Sequence, residues 1–279
     1  GTAIGGIVVD SGKFDWRDPK FRLFNEPDTG YHGLRYAHDL GELNSMAFIM
    51  RMRLVPLRNL GAWRRFIAAR GDLMLVGTAA DIERAKAARR LGLIFHFQGA
   101  DPMENELDLI EAYHALGVRM VQLTYNVRNR VGDGCEEQTD AGLSAFGVDL
   151  VRRLNENRIV VDCSHTGYRT TMDALERSSR PAVFSHANAY ALHPSPRNIR
   201  DDQIKAAAAS GGLVGVNGFP AFLGASPRPA MDRFIEHLDY MVELAGIDHV
   251  ALGVDYYEGM HPVANETEAG QFFRQQVAQ

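Results

Sequence analysis

Cysteine is nearly missing: Cys135 and Cys163 are the only two in 279 residues. That excludes a disulfide framework and any cysteine-rich zinc site. The count suits a reducing compartment, and a cytoplasmic location is the expectation. No apolar run approaches the roughly 18 residues that a membrane span needs, so no spanning segment is expected. The first residues, Gly1-Thr2-Ala3, carry neither an initiator Met nor a charged-then-apolar leader, a start that a removed signal peptide would also leave. Charge of one sign is lacking as well. The net charge is -5, and the densest basic run, Arg51 to Arg65, alternates with apolar residues as a solvated helix face does. A nucleic-acid partner is therefore not expected. Internal repeats, low-complexity tracts and linkers are absent too, so residues 1–279 read as a single domain. With 46% apolar and 23% charged residues, that domain can bury one large core.

What is present is an alternation. Short β-rich runs recur at Ile7–Asp10, Ala47–Leu54, Leu91–Phe97, Met120–Thr124, Ile159–Ser164, Ala182–Ser185, Leu213–Asn217 and Val250–Val254. A further apolar run, Leu73–Gly77, reads as a decoration of the second unit. Between the runs lie amphipathic stretches: Ala79–Arg90, Leu107–Leu116, Gly142–Asn155, Tyr168–Ser178 and Asp201–Ser210. Several β runs are apolar throughout, as strands covered on both faces are. Alternating strands and helices predict parallel βαβ units, and about eight units close a (β/α)8 barrel of the TIM type. A doubly wound sheet is the competing architecture.

Chemistry in such a barrel belongs at the carboxyl ends of the strands. Those positions here hold Asp10, Gln98, Tyr125-Asn126, His165, His186, Asn217 and Asp255. Two histidines that each close an apolar strand, with a terminal aspartate on a third, form the pattern of a metal-dependent hydrolase. Imidazole nitrogen suits zinc, and a nearby carboxylate can move protons. One such histidine alone would more often be a hydrogen-bonded structural residue. The other histidines read as structural: His114 and His237 in helices, His249 at a strand start, and His32, His38, His193 and His261 in loops. His96 lies within a strand beside Gln98. Arg197, in the loop after the His186 strand, is either a surface charge or a clamp for a substrate carboxylate.

Three segments carry a resemblance: GLSAFGVDLVRRLNENRIVVDCSHTG, RPAVFSHANAYALHPSPRNIRDDQI and GIDHVALGVDYYEG. They resemble the membrane dipeptidase (renal dipeptidase, peptidase M19) family, with weaker similarity in LGLIFHFQGADPMENELDLIEAYHALGVRMVQLTYN and in the first strand, IVVD. The resemblance covers most of the chain from about Ala79 to Gly259. It implies a barrel of the amidohydrolase type that hydrolyses dipeptides with two zinc ions. By motif, His165 and His186 are similar to the histidine ligands of the second zinc. Asp255 is similar to the carboxylate that handles the proton of the attacking water, and Arg197 to the holder of the substrate carboxylate. A homodimer is also implied.

The departures are specific. The family's Asp-Gly-His-x-Asp run, which binds the first zinc, is here Asp10-Ser11-Gly12-Lys13-Phe14. Gln98 stands where the family has a bridging glutamate, and Tyr125 where it has a histidine that stabilises the oxyanion. Two divalent ions in a low-dielectric cavity need several anionic ligands, so a binuclear site is not expected. The expectation is a depleted centre, with one zinc or none, held by His165, His186 and the Gln98 carbonyl. Catalysis would fall to Asp255 and Tyr125, and substrate binding to Arg197, Asn126 and Lys13. Lys13 would supply part of the positive charge that the missing ion leaves. The expected function is hydrolysis of a dipeptide or similar small amide. The alternatives are hydrolysis of another small carboxylated substrate, a lactone or cyclic amide, and a non-catalytic ligand-binding role.

Overall fold

A computed structural model describes residues 59–103, 106–225 and 227–255, with short pieces at 17–19, 25–27, 35 and 37–39. The expected strands Ile7–Asp10 and Ala47–Leu54, and the Lys13 position, lie outside the described residues. Contacts divide the chain into two units that meet in sequence between Phe95 and His96.

In the earlier unit, residues 59–68 are helical. Strand β1 (Leu73–Leu75), helix α1 (Ala79–Ala87) and strand β2 (Leu91–Leu93) then form a βαβ step, with Leu73 opposite Leu91 and Leu75 opposite Leu93 in parallel register. The local sequence explains the helix start. Thr78 Oγ1 accepts from Asp81 N, and the Asp81 carboxylate accepts from Thr78 N at 2.8 Å, a reciprocal cap. Leu73–Leu75 is thus a strand, paired with β2 in a two-stranded sheet of its own. A parallel partner needs a crossover, and Ala79–Ala87 supplies one. The expected strand Leu91–Phe97 is also two strands, because the chain changes partners near Ile94. β2 pairs with β1, whereas β3 (Phe95–Phe97) pairs with β4.

The later unit repeats strand and helix in chain order. Helix α2 (Leu109–Ala115) leads to β4 (Val118–Gln122), α3 (Ala145–Glu156) to β5 (Val160–Asp162), and α4 (Tyr168–Arg177) to β6 (Phe184–Ala187). Helix α5 (Asp201–Ala209) leads to β7 (Val214–Val216), and α6 (Pro220–Leu223) with α7 (Ala230–Ala245) to β8 (Val250–Leu252). Strands β3-β4-β5 and β6-β7-β8 are each ladders of sequential neighbours. A parallel bridge from Asp162 to Val183, with Cys163 N to Val183 O at 2.8 Å, links β5 to the approach of β6. The fold is therefore α/β, with parallel pairing at β4–β5, β6–β7 and β7–β8.

Burial follows the pattern that sequence predicts for doubly covered strands. Val214, Gly215 and Val216 are all buried, and Phe184 is fully so. Helix α3 shows the matching helical period. Leu150, Val151 and Leu154 are fully buried, while Arg152 and Glu156 pair at the surface. Each such leucine contributes about 1.5–3 kcal/mol by leaving water. Ser144 starts this helix by accepting from Gly147 N at 3.0 Å.

Candidate active site

The site forms where β3 to β8 end, all within the later unit. β4 runs into Leu123-Thr124-Tyr125-Asn126, and Asn126 takes a φ of 62°. Val127 N reaches back to Tyr125 O at 2.7 Å, closing a three-residue turn that a non-glycine residue adopts only under strain. The loop is held down from outside. Glu136 N donates to Asn126 O, Cys135 N donates to His165 O, and Gly134 passes directly over the turn. A Cβ on Gly134 would lie 2.1 Å from the Asn126 carbonyl, so only glycine fits there.

His165 follows β5 in a left-handed conformation, with φ of 59°. His186 reaches the site by another device. Phe184 pairs with Val214 and Ala187 with Val216, so three residue steps oppose two. The extra residue is a bulge at Ser185-His186, and bulges redirect side chains. The Ser185 carbonyl is pushed toward the next strands, where a Cβ at Gly215 would come within 2.2 Å of it and one at Gly253 within 2.1 Å. Both neighbours are glycine, which gives the bulge its room.

Asp162, at the end of β5, is wholly buried beneath the two histidines. Its Oδ1 accepts from Ser164 N at 2.9 Å and Ser185 N at 3.0 Å, and its Oδ2 accepts from Ser185 Oγ at 2.5 Å. His96 Nε2 lies 3.1 Å from Oδ2, off hydrogen-bond alignment. Burial would raise this carboxyl, but the His96 imidazole, the His186 ring and the Ser185 hydroxyl outweigh it. Together they hold the carboxyl well below the usual carboxylate range. Asp162 is thus an anion in the protein interior.

The two imidazoles meet edge to edge. His165 Nε2 and His186 Nε2 are 2.8 Å apart, His165 Nδ1 lies 2.5 Å from Asn126 Oδ1, and His186 Nδ1 lies 2.6 Å from Ser185 Oγ. Burial drives both rings toward the neutral form, and the Arg197 charge adds to it. His165 is pushed well below its ordinary value and His186 to about 4, with Asp162 and Asp255 opposing the shift of His186. A neutral imidazole carries one N–H. Asn126 Oδ1 also accepts from the Cys135 thiol at 3.6 Å, so it faces His165 as an acceptor and takes the Nδ1 proton. Where His186 Nδ1 carries the proton toward Ser185, both Nε2 atoms offer lone pairs, and two lone pairs at 2.8 Å repel unless a proton or a cation lies between them. Zinc–nitrogen bonds of about 2.0–2.1 Å at a tetrahedral angle place nitrogens about 3.3 Å apart, a small opening of this pair. Both Nε2 atoms are donors of the kind zinc takes. Among the described residues no group of three or more His, Cys, Asp and Glu side chains converges on a common point, so His165 and His186 stand as a two-donor pair.

The remaining sequence-predicted residues surround this pair. Gln98 turns its amide nitrogen, not its oxygen, toward His186 Nε2 at 3.3 Å. Tyr125 stacks on His165 with centroids 4.1 Å apart. Burial pushes its phenol up to about 12; Arg197 opposes that shift, and Asp255, Glu136 and Cys135 reinforce it. Arg197 is buried, with its Nη2 donating to His186 O at 3.3 Å and its guanidinium 5.2 Å above the Phe222 ring. Among the described residues its Nε has no hydrogen-bond partner and no carboxylate pairs with it. Asp255, with a φ of 59°, accepts from Asn217 Nδ2 at 3.3 Å. Asn126, expected at the substrate, places its oxygen on His165. Sequence reasoning missed Asp162, Ser185 and Cys135, and it left His96 at the margin. A signal for Asp162 was available: one acid in the apolar run Ile159-Val160-Val161-Asp162-Cys163 must be satisfied if that strand is buried. Nothing comparable marked Cys135, whose thiol is raised to about 11 by burial.

An α/β fold with convergent imidazoles, a strand-end carboxylate and a buried arginine points to the hydrolase class. More particularly, the chain belongs to the membrane dipeptidase family (Peptidase family M19), whose family model matches residues 45–275. It is 38% identical over 196 residues to a Klebsiella pneumoniae protein described as uncharacterized, in the pqqA 5′ region, a match covering 67% of this chain and 72% of that protein. The crystal structure of an amidohydrolase from Pseudomonas aeruginosa matches with a TM-score of 0.70 and 34% identity, over 74% of this chain and 63% of that one. A metallo peptidase from Rhodobacter sphaeroides, solved with a phosphinate mimic of the dipeptide L-Ala-D-Ala, matches with a TM-score of 0.66 and 28% identity, over 81% and 68%. The chain thus spans less than two thirds of the Pseudomonas protein. Among the described residues no helix is long and apolar enough to cross a membrane.

Proposed function

We propose that this chain hydrolyses a dipeptide or similar small amide, using one metal position between His165 and His186. The observation that carries the reading is the convergence of His165 Nε2 and His186 Nε2, 2.8 Å apart, from the ends of two strands. We also propose that residues 1–279 form one (β/α)8 barrel. Six strands neighbouring one another in chain order, and the likeness to the Pseudomonas amidohydrolase, support that architecture.

When bound, zinc supplies Lewis-acid polarisation of the scissile carbonyl. The chain's own residues do the rest. Arg197 pairs with the terminal carboxylate of the substrate and fixes which end of it enters the site. Tyr125, which keeps its proton across the working pH range, donates a hydrogen bond to the carbonyl oxygen as negative charge develops there. Asp255, steadied by Asn217, takes the proton of the attacking water and passes it to the leaving amine. Asn126 holds the His165 ring against the stacked Tyr125.

The test is metal content of protein purified without chelator, by elemental mass spectrometry, followed by assay of L-Ala-D-Ala and other dipeptides. About one zinc per chain and release of free amino acids are expected, with both lost in the His165→Ala/His186→Ala variant. Protein that takes up no zinc when it is offered, or a double variant as active as the parent, would overturn the proposal.

A further inference from the structure

We propose that Ser185 is a positioning residue that, acting with Asp162, sets the tautomer of His186 and so decides which ring nitrogen is open toward the site. The chain of reasoning is one of hydrogen counting. Asp162 sits in the carboxylate form and accepts only. Ser185 Oγ lies 2.5 Å from its Oδ2, so the single hydroxyl hydrogen of Ser185 is committed to Asp162. At 2.6 Å from His186 Nδ1, the same oxygen has only lone pairs left to offer. Nδ1 must then carry a proton, and a neutral ring, which has only one, leaves Nε2 bare. Two neighbours agree with that assignment. Gln98 presents its amide nitrogen, a pure donor, to His186 Nε2 at 3.3 Å. Ser164 Oγ, 3.2 Å from Ser185 Oγ, accepts from His186 N at 3.1 Å and so has its own hydrogen to give to Ser185.

The geometry is built rather than incidental. The bulge at Ser185-His186 brings the serine hydroxyl and the imidazole of adjacent residues onto the same side, which regular strand alternation forbids. Asp162 meanwhile anchors the bulge through Ser185 N at 3.0 Å. Outer partners of this kind fix ring orientation and ligand basicity in metal sites, and their loss typically weakens metal binding about 10–100-fold.

Two substitutions separate the relay from mere packing. Ser185→Ala removes the acceptor. Asp162→Asn reverses the polarity: an amide nitrogen facing Ser185 Oγ turns the hydroxyl hydrogen toward His186 Nδ1 and moves the ring proton to Nε2. The first readout is the ring-nitrogen NMR signature of His186 in metal-free full-length protein at pH 8. The wild type is expected as the Nδ1–H tautomer, Ser185→Ala as a mixture and Asp162→Asn as Nε2–H. The second is zinc affinity by competition with a chelator, expected to fall about 10–100-fold in both variants. The zinc arm rests on the proposed function, whereas the tautomer arm does not, so a chain that ignores zinc still tests the relay. A wild-type Nε2–H tautomer overturns the proposal even if a variant fails to fold, as does a folded Ser185→Ala with an unchanged His186 signature.

Discussion

Arg197 is the residue whose state asks most plainly for a partner. A guanidinium only 4% exposed, with an orphan Nε and no carboxylate paired with it among the described residues, is a desolvated charge offset there by the His186 carbonyl and the Phe222 face. In the proposed function the substrate carboxylate completes it. Arg197→Ala is expected to raise KM for free dipeptides about 100-fold with a much smaller change in kcat, as loss of a buried charge pair does. Arg197→Lys should not restore it, because an ammonium reproduces neither the planar fork nor the face-on contact with Phe222. Steady-state kinetics on a dipeptide and its C-terminal amide decide the matter: equal losses on both would remove Arg197 from the carboxylate. Sequence left Arg197 as either a surface charge or a carboxylate clamp, and its burial removes the first of these readings.

At the scale of elements, the loop between β4 and α3 and the bulge in β6 do most to shape the site. Both depend on glycines that let backbone approach backbone. Gly134→Ala drives a methyl into the Asn126 carbonyl, so the turn carrying Tyr125 and Asn126 must move. We expect a loss of about 2–3 kcal/mol, within the range for overpacking a well-filled site. The control is Gly71→Ala, where an added Cβ meets nothing within 4 Å. That change should be neutral or stabilising by up to about 1 kcal/mol. Urea unfolding of the two variants side by side is the measurement, and equal midpoints would mean that the loop yields easily. Helices and most strands were legible from periodicity, since Leu150, Val151 and Leu154 repeat as a buried face must. The bulge was not. A one-residue slip between neighbouring strands leaves no mark in a single strand's pattern, because it is defined by pairing.

For the whole molecule, buried neutral histidines set the acid limit of stability. His237 is fully buried, accepting from Ala189 N at 3.1 Å and facing Leu223 O at 3.2 Å, and burial lowers it to about 4. An unfolded chain takes up that proton near pH 6.5. Between these values the unfolded state holds more protons than the native one, so stability is intact above about pH 6.5 and declines as pH falls toward 4. His165 and His186 are shifted in the same direction. For His237 alone the loss is on the order of 2 kcal/mol by pH 5. Urea midpoints at pH 7.5 and pH 5.0 should therefore separate widely in the wild type and less in His237→Gln. Identical pH dependence in the two would show that His237 contributes nothing to the acid limit.

By itself the sequence determined the alternation of strands and helices, the polar residues set at the strand ends, and the kinship that the SHTG, SHANA and GVDYY segments announce. Those are local properties: periodicity, residue type and spacing are written along the chain. Tertiary structure decided what the strand ends do to each other. Whether His165 and His186 converge, which of their nitrogens face inward, and that Asp162 and Ser185 stand behind them depend on residues far apart in sequence. Their hydrogen-bond directions exist only once β5 and β6 lie side by side. A histidine in the sequence is equally a donor and an acceptor, and only its neighbours in space fix which nitrogen carries the proton.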